Sequence, residues 1–84
     1  MTEHTITSTL PGTFYRRPSP DAPPYVEEGA EVTTGDVVGL VEIMKSFYEV
    51  ASDADGRLVR FLVENEALVD VGEGVAVLEL AAQQ

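Results

Sequence analysis

An all-β domain made from two copies of one strand unit is the fold class this sequence predicts. Three features predict it: short runs of β-branched and aromatic residues set off by turn formers, no stretch of sustained helical periodicity, and an internal repeat. Shifting the chain by 37 positions lays residues 26–43 over 63–80 with seven identities in eighteen: Val26/Val63, Glu27/Glu64, Ala30/Ala67, Val32/Val69, Gly35/Gly72, Val38/Val75 and Glu42/Glu79. Upstream the offset becomes 44, which aligns Gly12 with Gly56 and Phe14 with Leu58 and leaves the first half seven residues longer. An approximate two-fold axis is expected to relate the two units. Within the aligned strands Gly39, Val41 and Ile43 correspond to Ala76, Leu78 and Leu80, an apolar face at period two that is expected to form the shared core.

Each element follows in chain order. Thr5 to Leu10 alternates as a strand does, Pro11-Gly12 is a turn, and Thr13 to Arg16 is a second strand. Residues 17–24 hold four prolines, which cannot join the middle of a sheet, so the extra length is expected in a projecting loop over about 16–24. A short extended piece at Tyr25-Val26 leads through turns at Glu27-Glu28-Gly29 and Thr33-Thr34-Gly35-Asp36 into a strand over 37–43. A strand at 47–50 ends in the turn formers Ser52-Asp53-Ala54-Asp55-Gly56, Arg57 to Val63 is the next, and Val75 to Leu80 closes the sheet after a turn at 69–74. Burying several apolar side chains at roughly 1.5 to 3 kcal/mol each is what can hold so small a domain together without disulfides.

Composition excludes several kinds of chemistry. With 84 residues the chain is a single domain, 1–84, with little room for a deep catalytic cleft. Fifteen acidic against five basic residues give a formal charge of −10, which repels phosphate backbones and anionic lipid, so nucleic acid and membrane are not expected partners. There is no cysteine, and His4 is the one histidine, with no ligand-spaced companion, so neither thiolate nor metal chemistry is expected. The first residues lack the basic and apolar regions of a signal peptide, and no apolar run reaches transmembrane length; a cytoplasmic setting is expected.

Between the two central strands lies Glu42-Ile43-Met44-Lys45-Ser46-Phe47, which contains the only lysine of the chain. A two-residue hairpin loop at Met44-Lys45 asks for positive φ at both positions and normally recruits Asn-Gly. Met-Lys there is strained, and such strain is kept where a displayed side chain is used. On the turn alone, a second reading stays open: a lysine that discourages edge-to-edge pairing. Glu42 is mirrored by Glu79, which has no lysine beside it, so Glu42 is read as structural or solvated as well as a candidate for chemistry. Phe47 pairs with Glu42 in such a hairpin, on the face opposite Val41 and Ile43, where contact with a partner and packing on the barrel are both open. Met44 and Lys45 have no counterpart in the second unit, where Ala81-Ala82 follows Leu80; the hairpin tip and the inserted loop are what the halves do not share.

With these residues the chain resembles the biotinyl/lipoyl attachment domains, in which a Met-Lys pair at a β-hairpin tip receives the prosthetic group on its lysine. The resemblance runs from about His4 to Leu80. It implies a flattened β-barrel, a sandwich of two four-stranded antiparallel sheets. Gly12-Thr13-Phe14-Tyr15-Arg16 and Pro18-Ser19-Pro20-Asp21-Ala22 further resemble the "thumb" insertion of bacterial biotin carboxyl carrier proteins of acetyl-CoA carboxylase. That resemblance implies biotin as a covalent cofactor on Lys45, with Met44, Ser46, Glu42 and Phe47 around the attachment point and Ser19, Pro20, Asp21 and Ala22 beside the ureido ring. It implies a carrier without catalytic residues of its own. Biotin protein ligase would install the group, a biotin carboxylase would load it from ATP and bicarbonate, and a carboxyltransferase would pass the carboxylate to an acyl-CoA, acetyl-CoA foremost, for fatty acid synthesis. Most relatives read Ala-Met-Lys-Met, whereas Ile43 and Ser46 flank the pair here. Lipoyl domains usually place Asp before and Ala after the lysine, and neither is present. A lipoyl carrier of a dehydrogenase or glycine-cleavage complex, and an unmodified barrel used as an interaction module, are the two rival readings. Carrier proteins of this kind often have a further N-terminal segment, which leaves open whether the chain is a fragment or a compact carrier.

Overall fold

The computed structural model describes residues 2–80. They form eight strands: β1 Glu3–Thr7, β2 Gly12–Tyr15, β3 Glu31–Val32, β4 Val37–Ile43, β5 Ser46–Ala51, β6 Gly56–Phe61, β7 Ala67–Val69 and β8 Gly74–Leu80. Two four-stranded antiparallel sheets result, ordered β1-β8-β6-β3 and β5-β4-β2-β7, which is the expected duplicated all-β sandwich. Each sheet takes strands from both units. The offset of 37 carries β4 onto β8, and the offset of 44 carries the start of β2 onto that of β6.

Three expectations need correction. The first strand is Glu3–Thr7 and stops short of Leu10, because buried Ser8 turns the chain: its Oγ donates to the Leu10 carbonyl and accepts from the Leu10 N–H. Tyr25-Val26 is a bend, not an extended strand; the strand of this region is β3, two residues long, and its counterpart β7 has three, too short for alternation to show. The strand expected to reach Val63 ends at Phe61. The proposed counterpart of the hairpin tip, Ala81-Ala82, lies outside the described residues.

The predicted inner face is the core, with additions. Phe14, Val38, Val75, Ala76, Leu58 and Leu78 are fully enclosed, with Val41 beside them. Val38 and Val75 join because each is the unpaired residue of a β-bulge, at equivalent points of β4 and β8, and the bulge turns an extra side chain inward. The halves divide the core volume differently. A Cβ on Gly39 would meet Phe14 Cε1 and Cζ at 2.5 Å and the Tyr15 carbonyl oxygen at 2.7 Å. Phe14 therefore requires glycine at 39, whereas its counterpart Leu58 goes with alanine at 76.

The turns repeat with the strands. Ser52 Oγ donates to the Ala54 carbonyl and accepts from the Ala54 N–H, as Ser8 does with Leu10. Gly35 N–H donates to Ser52 O at 2.8 Å, and Gly72 N–H to Ser8 O at 2.7 Å. Both glycines have positive φ, 97° and 83°, as the sequence predicts for turn glycines. Arg57 pairs with Glu79, Arg60 Nη1 lies 3.8 Å from Glu3 Oε2, and His4 Nε2 lies 2.7 Å from Asp53 Oδ1. The bond from His4 is the main reason that the Asp53 carboxyl is held below its usual range. Among the described residues no helix is long and apolar enough to cross a membrane.

Gly39→Ala should destabilise the domain by about 1–3 kcal/mol through overpacking. Adding Phe14→Leu should recover part of that loss, with a coupling of about 1 kcal/mol in urea unfolding. Strict additivity of the two changes would contradict the packing described.

Candidate functional site

The site starts at the tip of the β4–β5 hairpin. Ile43 pairs with Ser46 and Glu42 with Phe47, so Met44 and Lys45 alone form the loop. Their φ angles are 50° and 70°, the pair of positive values that a type I′ turn demands and that the sequence predicts. Lys45 and Ser46 are exposed, and Met44 is 93% exposed. Among the described residues Lys45 forms no ion pair, with Glu42 or any other carboxylate. A primary amine thus stands in solvent on a two-residue turn.

Glu42 is held elsewhere. Its Oε1 accepts from the Tyr15 hydroxyl at 2.8 Å, across the β2–β4 pair. Its mirror residue Glu79 is likewise held by a cross-strand donor, Arg57. Phe47 has both features left open by the sequence: it is 57% exposed, and its ring lies 6.3 Å from that of Tyr15. Because Gly39 faces Phe14 in the core, Leu40 and Glu42 face outward, on the same side as Tyr15 and Phe47. Leu40 is nevertheless buried, at 8% exposure, because the proline-rich loop folds over it.

That loop is closed at its base by Tyr25 N–H donating to Arg16 O at 3.0 Å, and turned at its end by Ala22 N–H donating to Ser19 O at 3.1 Å. Between loop and sheet lies a groove of about 230 Å³, lined by Tyr15, Arg17, Pro18, Ser19, Pro20, Leu40, Phe47, Asn65 and Glu66. Of the loop residues singled out in the sequence, Ser19 and Pro20 line it. Asp21 and Ala22 do not; Ala22 instead offers its carbonyl to Arg17 Nη1 at 3.3 Å. Tyr15 lies in the stretch that resembles the entry to the thumb, but the resemblance gives it no site role, while Leu40, Asn65 and Glu66 carry no motif and come from two separate segments, so only the fold reveals them. One signal was present: Glu66 is the counterpart of Gly29, and both have positive φ, 73° and 96°, so a bulky residue stands where the other half has glycine.

The Tyr15 phenol is raised above its ordinary value, first by its hydrogen bond to Glu42, then by burial and by the charges of Glu42 and Glu66. The hydrogen bond favours the protonated phenol, so its contribution is complete below the ordinary value and is lost as pH rises through the raised one. In an ultraviolet phenolate titration, Glu42→Gln should move the Tyr15 transition back toward 10.0, and Tyr15→Phe should delete that transition. A titration unchanged by Glu42→Gln would show that the bond does not form in solution.

Comparison with known proteins agrees with this geometry. The family described as biotin-requiring enzyme matches residues 4–78. The biotin carboxyl carrier protein of acetyl-CoA carboxylase from Haemophilus influenzae is 35% identical over 79 residues, covering 94% of this chain and 51% of the relative. The protein of the same name from Chlamydia trachomatis is 42% identical over 67 residues, covering 80% and 41%. The chain thus spans about half or less of the length of these relatives. Among solved structures, a single-chain, multi-domain long-chain acyl-CoA carboxylase superposes with a TM-score of 0.76 at 25% identity, over 96% of this chain and 7% of the other. The urea carboxylase of Kluyveromyces lactis gives 0.77 at 26% identity, over 94% and 6%. A lysine alone on a strained hairpin tip, a doubled barrel beneath it and a family match over nearly the whole length lead to one statement: the chain belongs to the biotin/lipoyl attachment family.

Proposed function

We propose that this domain is a biotin carboxyl carrier, with biotin joined by an amide to Lys45, serving an acetyl-CoA carboxylase. The observation that carries the reading is the exposed amine at positive φ on the Met44-Lys45 turn, beside a groove with apolar walls. Its supports are the family match and the names of the curated relatives. Biotin, when bound there, supplies a ureido nitrogen that takes a carboxylate at a biotin carboxylase and gives it up to an acyl-CoA at a carboxyltransferase.

The residues present fit the group. Leu40, Phe47, Pro18 and Pro20 offer apolar contact to a small bicyclic head, while Ser19 and Asn65 offer hydrogen-bonding groups at the same groove. Asp21 and Ala22 belong to the loop's turn, which Ala22 N–H closes on Ser19 O. Met44, Glu42 and Ser46 frame the attachment point, and the ladder beneath the turn presents the amine to biotin protein ligase. For that ligation the amine must lose its proton to become the nucleophile.

The domain itself works by tethering and contributes no acid, base or nucleophile to carboxyl transfer. A linked group is presented at an effective concentration of roughly millimolar or above, without a diffusional search. An acidic carrier, at a formal charge of −10, suits rapid and transient docking on basic patches of successive partners. The setting on this reading is the cytoplasm.

Intact-mass analysis of the protein made in its own host should show the mass of one biotin less one water, and Lys45→Ala should show none. In spectra of modified against unmodified protein, the amides of Ser19 and Phe47 should shift. A lipoyl mass would assign the chain to the lipoyl carriers, and an unchanged mass in a host with active ligase would leave an interaction module.

A further inference from the structure

The cationic side chains are unevenly provided for. Of the five in the chain, Arg57 and Arg60 have carboxylate partners, and Lys45 stands in solvent. Arg16 packs its guanidinium 4.5 Å from the Phe61 ring centroid and donates from Nη2 to Val63 O at 2.8 Å, at the base of the loop and outside the groove; its Nε–H, like that of Arg17, is buried with no acceptor among the described residues. Arg17 differs. It lines the groove, its one hydrogen bond is the 3.3 Å contact from Nη1 to Ala22 O, and its Nε–H is buried with no acceptor among the described residues. An unsatisfied donor on a charged group is costly to bury, and the side chain that carries it lines both this groove, next to the hairpin that displays Lys45, and a second cavity at the base of the loop.

We propose that Arg17 makes this groove selective for the charge state of the head group on the Lys45 arm, holding the carboxylated ring by its carboxylate oxygens and releasing the bare one. The inference rests on the biotin reading above. The other charged group lining the groove is the carboxylate of Glu66, and Glu42 faces it through Tyr15, so Arg17 alone offers an anion a favourable charge there. A guanidinium on the carboxylate also slows spontaneous loss of the group. In that loss the N–C bond breaks, CO2 leaves, and the bonding electrons move to the ureido nitrogen, which takes a proton from water. Charge departs from the carboxylate in the transition state, so a cation placed there favours the ground state. A cation on the ureido carbonyl oxygen would do the reverse, and the sign of the effect therefore identifies the atom that Arg17 holds.

The test uses biotinylated protein carboxylated with biotin carboxylase, ATP and labelled bicarbonate, then freed of the enzyme, with release of label followed over time. Arg17→Gln should lose label about tenfold faster than the parent, the scale of one charge-assisted hydrogen bond, and Arg17→Lys should fall between them. The Arg17 Nε–H resonance should move on carboxylation by more than it moves on biotinylation. Amide spectra of each variant check that it is folded. Label loss at the parental rate, or slower, with an unmoved Nε–H resonance would overturn the role of Arg17. Absence of biotin on Lys45 would instead overturn the carrier reading, and intact mass separates the two failures before any label is added.

Discussion

The β4–β5 ladder is the constraint on which the site depends. Two non-glycine residues in succession at positive φ cost about 1–3 kcal/mol each, and among the described residues Lys45 forms no ion pair at the tip to offset that. The strain persists because the ladder beneath it leaves the chain one way to turn. That ladder is in turn fixed by the core, since a slip of one residue would turn Val41 outward and Glu42 inward. An amine on a soft loop would sweep a wide volume; on this turn it has a defined origin, and only what is attached to it travels.

Much of this was legible in the sequence because it is local or repeated. The hairpin tip followed from two β-rich runs with two residues between them, and the duplication from an offset that survives in the turns as well as in the strands. Strands of two and three residues, β3 and β7, were not legible, because alternation needs a longer run than they have. The early end of β1 was hidden for another reason: Ile6 and Leu10 keep the apolar phase of an alternating strand, and between them buried Ser8 takes an inward place while its hydroxyl bends the backbone. The groove was legible on its loop side and at Phe47, and not beyond. Its floor and far wall bring Tyr15, Leu40 and Phe47 together with Asn65 and Glu66, a juxtaposition that exists only once both halves have paired.

The duplication also serves as an internal comparison. Where the halves agree, as at Ser8 and Ser52, Gly35 and Gly72, or Val38 and Val75, the residues answer to the barrel. Outside the core, the differences gather on one outer face: a proline-rich loop in one unit only, Glu42 bound to a phenol where Glu79 meets a guanidinium, and an arginine over the sheet. Phe14 with Gly39, against Leu58 with Ala76, shows that the core tolerates redistribution provided the sum of volumes holds.

Glu66 has a consequence for how this domain can change. In the other half the same backbone conformation belongs to Gly29, which adopts it without steric penalty, so Glu66 keeps the left-handed shape at a disadvantage that a glycine would remove. A glycine there would also erase one wall of the groove. Selection for heat resistance alone would push position 66 toward glycine, and its side chain is a measure of how far this surface has been shaped by what it must touch.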